Sequence, residues 1–254
     1  MKILHFSDIH TGAFSSNLSA LLDKRLIGGL NYTFRRKKHI HWEFFERFLE
    51  IIKEEQPDVV ISTGDFTSTS AAKEFAEVRE RMSTIVSNTN FRFFCVPGNH
   101  DYYTNDKKSL QIRKETFDYL NRKQFSLDQL PLRLEIDGVH FILIDQSKPN
   151  TLSQSSGILR DQDFEKIESW ISEKKESPAI IVGHYPMRDA KGIKLEERRA
   201  LENGDKLYTL LQSGQVDLAL CGHIHHPFAR WEDSGSAELC AGSLTIGGKV
   251  NKII

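Results

Sequence analysis

The stretch FRFFCVPGNHD, residues 91–101, joins an apolar run to a polar turn. The run 91–96 predicts a buried strand, which the following Pro-Gly pair ends. Directly after this break come Asn99, His100 and Asp101, whose side chains can bind metals, protons or phosphate oxygens. The same arrangement of apolar run, bend and polar cluster recurs along the chain, so this stretch is one part of a repeated design.

Segments typical of strands and of helices alternate along the sequence. Strands are predicted at 2–7, 58–62, 91–96, 132–136, 139–145, 179–182, 216–221 and 237–241, and helices at 41–54, 71–87, 161–174 and 195–212. Asp137-Gly138, between two of the strands, is typical of a hairpin. Strands with helical crossovers and a later hairpin predict an α/β fold with mixed sheets, in one domain over residues 1–254.

Polar clusters follow five of the predicted strands. Their members are Asp8 and His10; Asp65; Asn99, His100 and Asp101; His184; and His223 and His225. Any one cluster alone is more typical of a turn or helix cap, but five unrelated turns would not all carry metal-binding residue types. A glycine precedes four of the five and permits a sharp bend. Because the carboxyl ends of parallel strands share one edge, the clusters are expected to converge there.

The last cluster lies in CGHIHHPF, residues 221–228. His223 and His225 are two residues apart, so on an extended segment they share a face and could bind one ion or two neighbouring ions. His226 points elsewhere; we expect an ordinary surface histidine, with substrate contact at the edge of the cleft as the alternative. The motif alone leaves the number of ions open.

This ordered set of clusters resembles the signature of the calcineurin-like metallophosphoesterase superfamily. The resemblance implies a four-layer αββα sandwich of two mixed β-sheets with a two-metal site. It implies that Asp8, His10 and His225 hold one ion, that Asn99, His184 and His223 hold the second, and that Asp65 bridges both. His100 would be the catalytic histidine and Asp101 would orient it. With four other blocks supplying ligands, two ions per chain are expected.

These residue types suit phosphate-ester hydrolysis. Two divalent ions about 3.5–4 Å apart can clamp a phosphoryl group and lower the pKa of a bridging water, which attacks as hydroxide. Two divalent ions, two carboxylates and one hydroxide leave a net positive charge, because the imidazole and amide ligands are neutral, and this charge attracts a phosphate. The ligand set suits Mn or Fe best and also fits Zn, while the lack of thiolate argues against a structural zinc.

The composition excludes several other classes of protein. The 34 basic and 35 acidic residues give a formal net charge of −1, so no extended nucleic-acid surface is expected. The three cysteines are an odd number without CxxC spacing, which fits a reducing compartment. Neither a signal peptide nor an apolar run approaching the roughly 18 residues of a membrane span is recognisable. A soluble cytoplasmic protein is therefore expected.

One segment, residues 21–42, stands out as an insertion. It is apolar at its start and strongly basic at 35–38. Such a segment is either a solvated helical hairpin over the cleft or a surface for a lipid-like or polyanionic substrate, with peripheral membrane contact. It is the main clue to specificity in the sequence.

Several substrates remain open. Within the superfamily, the short chain and intact His100 look most like the bacterial class III cyclic-nucleotide and other small-molecule phosphodiesterases, which implies a small phosphate-ester substrate, monoester or diester. The alternative is a pyrophosphate hydrolase for a lipid-linked nucleotide of the UDP-diacylglucosamine type, which the basic insertion supports. Double-strand-break nucleases rank third, because members of that group are longer proteins with an added cap and a DNA-binding surface. A non-catalytic interaction scaffold of the same fold is a different class, and the complete set of ligand types argues against it.

Overall fold

Two β-sheets lie at the centre of the molecule. The computed structural model describes residues 1–12, 40–104, 106–151, 153–174 and 176–246. The strands are β1 Ile3–Phe6, β2 Val59–Ser62, β3 Arg92–Cys95, β4 Leu132–Ile136, β5 Val139–Leu143, β6 Gly157–Ile158, β7 Ala179–Val182, β8 Leu201–Glu202, β9 Leu218–Cys221, β10 Phe228–Trp231 and β11 Ala237–Cys240. The helices are α1 Trp42–Glu55, α2 Ala72–Ser87, α3 Lys107–Leu120, α4 Asp161–Glu173 and α5 Gly204–Gln212, and short 3₁₀ turns cover Asn99–Tyr102 and Leu127–Gln129.

The two main sheets differ in strand direction. One has the order β1-β2-β3, and its described strands are all parallel. The other has the order β10-β11-β9-β7-β5-β4 and is mixed: its four inner strands are parallel, and β4 and β10 join antiparallel at its edges. The mixed character predicted for both sheets is thus confirmed for the larger one. The short strands β6 and β8 pair separately.

Alternating side chains on the strands define four layers. On β2, Val60 packs toward helices α1–α3, while Val59 and Ile61 face the other sheet. On β7, Ile181 packs toward α4 and α5, while its neighbours Ile180 and Val182 face the first sheet. Strand side chains alternate between faces, so buried strands that are apolar at every position can join two cores at once. The predicted αββα sandwich is confirmed.

Some elements differ from the sequence prediction. The helix predicted at 195–212 is wrong in its first half, since the helix there is only Gly204–Gln212. Leu201–Glu202 pairs with Gly157–Ile158 instead, and Asn203 has a left-handed backbone (φ 61°) that interrupts a helix. Helix α3 and strands β6, β8 and β10 were not predicted.

The basic insertion predicted at 21–42 lies outside the described residues except for its last three. Of these, Ile40 forms an isolated bridge with Ile246, and Trp42 begins α1. Its predicted substrate role therefore stays a prediction. None of the helices in the described ranges is long and apolar enough to cross a membrane.

Candidate metal centre

Carboxylate and imidazole side chains form two overlapping groups beyond the carboxyl ends of the strands. The first group is Asp8, His10, Asp65 and His225, and the second is Asp65, His184 and His223. Within each group, the potential ligand atoms lie within 4.8 Å of one another. All of these residues are buried except His225, which is half-buried at the mouth of the site. Asp65 belongs to both groups, so the arrangement can hold two neighbouring ions.

In the first group, three ligand atoms of Asp8, His10 and His225 lie close together. Oδ1 of Asp8 lies 3.1 Å from Nε2 of His225 and 3.5 Å from Nε2 of His10, but it receives no well-aligned hydrogen bond. The two Nε2 atoms are 2.8 Å apart. Nδ1 of His10 donates to the Thr67 carbonyl at 3.2 Å, so its Nε2 carries the lone pair in the neutral ring. A buried carboxylate oxygen beside such nitrogens is an arrangement that can bind a cation.

The second group shows the same feature around Asn99. Oδ1 of Asn99 lies 2.9 Å from Nδ1 of His223 and 3.2 Å from Nε2 of His184. His184 donates its Nδ1 proton to the Thr63 carbonyl at 2.7 Å, which leaves the Nε2 lone pair directed at oxygens. One of these is Oδ2 of Asp65, at 3.3 Å. A lone pair that faces oxygen acceptors is repelled unless a proton or a metal ion lies between them.

The close packing of these buried side chains shifts their pKa values. Burial alone would lower the pKa of His184, but the adjacent Asp65 carboxylate raises it to about 9. Burial lowers the pKa of His223 to about 3, and the nearby charge of His184 adds to this effect. Burial opposes ionisation of Asp8 and Asp65, yet the imidazoles around them hold the pKa of both carboxyls below its ordinary value. Two carboxylates thus stay ionised in a buried site, where they attract cations.

The candidate ligands make the bends of the backbone themselves. Left-handed φ angles of 56°, 43°, 55°, 71° and 56° occur at Asp8, His10, Asp65, His223 and His225. Residues other than glycine seldom adopt this region, and such strained positions concentrate at functional sites. His223 and His225 therefore do not share the face of an extended segment, and they fall in different groups.

The glycines of the clusters have a role that differs from the prediction. Sharp bending explains only Gly64, whose φ is 97°. A Cβ at Gly98 would lie 2.2 Å from Oδ1 of Asp65, and a Cβ at Gly222 would lie 2.4 Å from Oδ2 of Asp8. Glycine is required at these two positions because the Asp65 carboxylate at Gly98, and the Ser7 hydroxyl with the Asp8 carboxylate at Gly222, occupy the space of a side chain.

His100 lies at the edge of the first group. Its ring is half-buried, with its centroid 4.9 Å from that of His10. Its backbone N–H donates to Oδ1 of Asp65 at 2.8 Å, and its Nδ1 donates to the Ser68 carbonyl at 2.7 Å. The Ser68 carbonyl thus fixes the orientation of the ring and places a proton on Nδ1 of its neutral form.

Asp101 contacts the loop backbone. Its carboxylate accepts hydrogen bonds from the N–H groups of Phe66, Thr67 and Gly98 at 3.3, 2.9 and 3.0 Å, and from the Thr67 hydroxyl at 3.1 Å. These bonds join the loop after β2 to the turn after β3, so Asp101 holds together the two loops that carry Asp65 and His100.

The structure brings the predicted ligands together and leaves His226 exposed at the surface. Sequence reasoning missed the backbone carbonyls of Thr63, Thr67, Ser68 and Arg199, which anchor the imidazoles. A carbonyl is present at every residue, so no residue type signals this function.

Comparison with known proteins agrees with this fold and site. The family model for the calcineurin-like phosphoesterase matches residues 1–227 of the chain. The chain therefore belongs to the calcineurin-like phosphoesterase family, and its centre is a candidate dinuclear metal site.

Solved structures share the fold at low sequence identity. A dimetal phosphatase from Danio rerio superposes with a TM-score of 0.66 at 12% identity, over 98% of this chain and 89% of that one. A purple acid phosphatase from yellow lupin (Lupinus luteus) seeds has a TM-score of 0.54 at 15% identity, over 97% of this chain and 44% of that one. At these identities the likeness is one of fold.

Proposed function

We propose that this protein is a metal-dependent phosphohydrolase that binds two divalent ions and hydrolyses a phosphate ester of a small molecule or nucleotide. The observation that carries the proposal is the sharing of Asp65 by two groups of carboxylate and imidazole side chains, whose potential ligand atoms lie within 4.8 Å of one another in each group. Bound Mn or Fe ions, with Zn also suited to these ligands, would polarise phosphoryl oxygens and lower the pKa of water.

The ligand assignment follows the two groups. Asp8, His10 and His225 would bind one ion, Asn99, His184 and His223 the other, and Asp65 both. Distances of 2.8–3.7 Å between ligand atoms within each set support this division. The hydrogen bonds to Thr63 and Arg199 select Nε2 of His184 and Nδ1 of His223 as the ligand nitrogens.

His100 is proposed as the catalytic residue beside the ions. Because its Nδ1 proton is held by the Ser68 carbonyl, Nε2 is the nitrogen that can carry a second proton to the leaving oxygen or stabilise a phosphoryl oxygen. Asp101 is proposed as a positioning residue, since its hydrogen bonds fix the loops on which His100 and Asp65 lie.

Hydrolysis of two aryl esters tests the proposal. Purified protein is loaded with Mn²⁺, Fe²⁺ or Zn²⁺ and assayed with 4-nitrophenyl phosphate and bis(4-nitrophenyl) phosphate, before and after treatment with EDTA. We expect turnover that EDTA abolishes, together with two ions per chain by elemental analysis.

Two adjacent histidines provide a matched pair of variants. His225→Ala should lose an ion and most of the activity, whereas His226→Ala, at the exposed neighbour, should retain both. Absence of turnover with all three metals, in protein that binds no ion, would contradict the proposal and favour a non-catalytic binding protein.

A further inference from the structure

Tyr102 is the last residue of the short 3₁₀ turn Asn99–Tyr102, which carries His100. Its hydroxyl donates a hydrogen bond to Oδ2 of Asp145, a buried residue that lies two positions beyond strand β5 of the six-stranded sheet. The other oxygen of this carboxylate accepts the backbone N–H of Ser147 at 2.9 Å. The turn after β3 is therefore connected to a loop of the opposite sheet.

The loop after β5 also contacts the segment that leads into this turn. The Ser147 hydroxyl donates to the carbonyl of Pro97 at 3.3 Å. Between the two contacts, Oε1 of Gln146 accepts the backbone N–H of Tyr185, the residue after His184, at 2.9 Å. The side chains of Gln146 and Ser147 are buried. Three consecutive polar side chains of one loop thus contact segments of the candidate metal centre.

Arg113, a buried residue of helix α3, fixes the ring of Tyr102. Its guanidinium lies over that ring, 3.6 Å from the centroid, and donates to the carbonyl of Asp101 at 3.3 Å. A cation over an aromatic face is attracted by the ring quadrupole. The ring of Tyr102 is therefore held by the helix, while its hydroxyl makes the connection to the six-stranded sheet.

The other contacts of His100 lie on the side of the three-stranded sheet. Its backbone N–H donates to Asp65 and its Nδ1 donates to the Ser68 carbonyl, both in the loop after β2. The candidate ligands His184 and His223 follow strands of the six-stranded sheet. The placement of His100 relative to these two ligands therefore depends on contacts between the sheets. Misplacement of a catalytic group by about 1 Å can lower a rate roughly 10²-fold.

We propose that Tyr102 is a positioning residue, whose hydrogen bond to Asp145 holds His100 at the distance from the ions that catalysis requires. This inference rests on the proposed function, because it concerns the placement of the residue to which catalysis is assigned there. A residue that acts only through the His100 ring should have no effect on the rate once that ring is removed. This condition separates positioning from a general effect on the fold.

Removal of the Tyr102 hydroxyl tests this role. In Mn²⁺-loaded Tyr102→Phe we expect kcat for the faster aryl ester to fall roughly 5- to 30-fold. KM and manganese content should stay within about twofold of wild type, because substrate binding is assigned to the ions. In the His100→Ala background, the same substitution should change kcat by less than about twofold.

Tyr208 on helix α5 provides a matched control. Its hydroxyl donates to the Glu232 carboxylate at 3.2 Å, and the Arg188 guanidinium lies over its ring, 3.9 Å from the centroid. Tyr208→Phe therefore removes the same kind of hydrogen bond, from a ring with the same kind of neighbour. It should retain kcat within about twofold of wild type.

A second variant removes the other contact between the two loops. Ser147→Ala should lower kcat about two- to fivefold, and again only when His100 is present. This pair of measurements decides the question if Tyr102→Phe does not fold. An equal loss of kcat with and without His100 would contradict the proposal.

Nuclear magnetic resonance gives a readout that does not depend on turnover. In Zn²⁺-treated protein labelled with ¹⁵N-histidine, the ring signals of His100 are identified by their absence from His100→Ala. These signals should shift in Tyr102→Phe, because the ring moves, and should stay unchanged in Tyr208→Phe.

Failure of the inference and failure of the proposed function give different results. If Tyr102→Phe matches Tyr208→Phe in kcat and in the His100 signals, the inference is overturned and the function stands. Loss of an ion from Tyr102→Phe would also overturn it, because the effect would then act through Asn99. If wild type hydrolyses neither ester, the proposed function fails. A shift of the His100 signals confined to Tyr102→Phe then still supports the placement of His100 by Tyr102, and unchanged signals overturn it.

Discussion

Each of four imidazoles at the centre is anchored by a backbone carbonyl. Thr67, Thr63, Ser68 and Arg199 accept these hydrogen bonds, from His10, His184, His100 and His223 respectively. The bond selects the ring nitrogen that remains for a ligand or a proton, so the chemistry of each histidine is set by the path of a neighbouring loop.

For His100, substitution should separate catalysis from metal binding. His100→Ala should retain two ions per chain, because its ring is assigned to no ion, yet kcat should fall roughly 10²-fold or more through loss of proton transfer. Elemental analysis and steady-state kinetics measure the two properties, with His226→Ala as the control. Loss of an ion from His100→Ala would contradict the assignment.

For single residues, the sequence predicts which side chains belong to the centre but not the contacts that these side chains make with the loop backbone. The clusters at Asp8, Asp65 and His184 could be identified because their residue types are unusual after an apolar run. The contacts of Asp101 with the loop backbone, and of His100 with Ser68, could not be, since they depend on where the loops lie in space.

At the scale of elements, the first turn of α2 organises the loop that orients His100. The Glu74 side chain is buried and accepts hydrogen bonds from the N–H groups of Ser68, Thr69 and Ala71 at 3.3, 2.9 and 2.9 Å. The same loop supplies the Ser68 carbonyl to His100. One carboxyl group in a helix thus shapes a loop of the candidate metal centre.

Removal of that carboxyl should destabilise the fold. Glu74→Ala leaves three backbone N–H groups without their acceptor, and at about 1–3 kcal/mol each we expect the free energy of unfolding to fall by about 3 kcal/mol or more. Urea denaturation measures the change. Glu80→Ala, exposed on the same helix, is the control and should change stability by less than about 1 kcal/mol. Equal effects of the two substitutions would contradict the role of Glu74.

Helix α3 shows why some elements escaped prediction. Its buried positions are helically spaced, but three of the five are Ser109, Arg113 and Thr116, so apolar periodicity is weak. The opposite error occurred at 195–212, where helical spacing of apolar residues predicts one continuous helix, although Leu201–Glu202 within this range form strand β8. Strand β7, apolar at every position, was predicted to the residue.

At the scale of the whole molecule, the centre joins the two sheets. Asp8, Asp65 and Asn99 follow strands of the three-stranded sheet, and His184, His223 and His225 follow strands of the six-stranded sheet. Each proposed ion would therefore be ligated from both sheets, and ion binding should be coupled to the stability of the sandwich.

Removal of ions should lower the melting temperature. Because ions bind the folded state, stability should rise with the logarithm of free Mn²⁺ concentration above the Kd. Thermal unfolding is followed after EDTA treatment and after addition of Mn²⁺. Asp65→Asn, which removes the shared carboxylate charge, should respond much less, and a Tm of wild type independent of Mn²⁺ would exclude ion binding to the folded centre.

The ion-free protein should lose stability as pH rises from 7 to 9. His184 has a pKa of about 9 in the folded protein against an ordinary value of 6.5, so the folded state holds a proton that the unfolded state has released. This contribution is complete below pH 6.5 and is lost through pH 9, a change of up to about 3 kcal/mol. Urea unfolding in EDTA measures it, His184→Gln should lack it, and a constant value in wild type would contradict the raised pKa.

The left-handed backbone at five candidate ligands has an evolutionary consequence. Each such position costs about 1–3 kcal/mol, and glycine relieves that cost while removing the ligand. In a duplicated gene released from selection for catalysis, glycine at position 225 would therefore be favoured by gains in thermal stability as well as tolerated by drift. In this chain, glycine at such a position would therefore exchange a candidate metal ligand for a gain in stability.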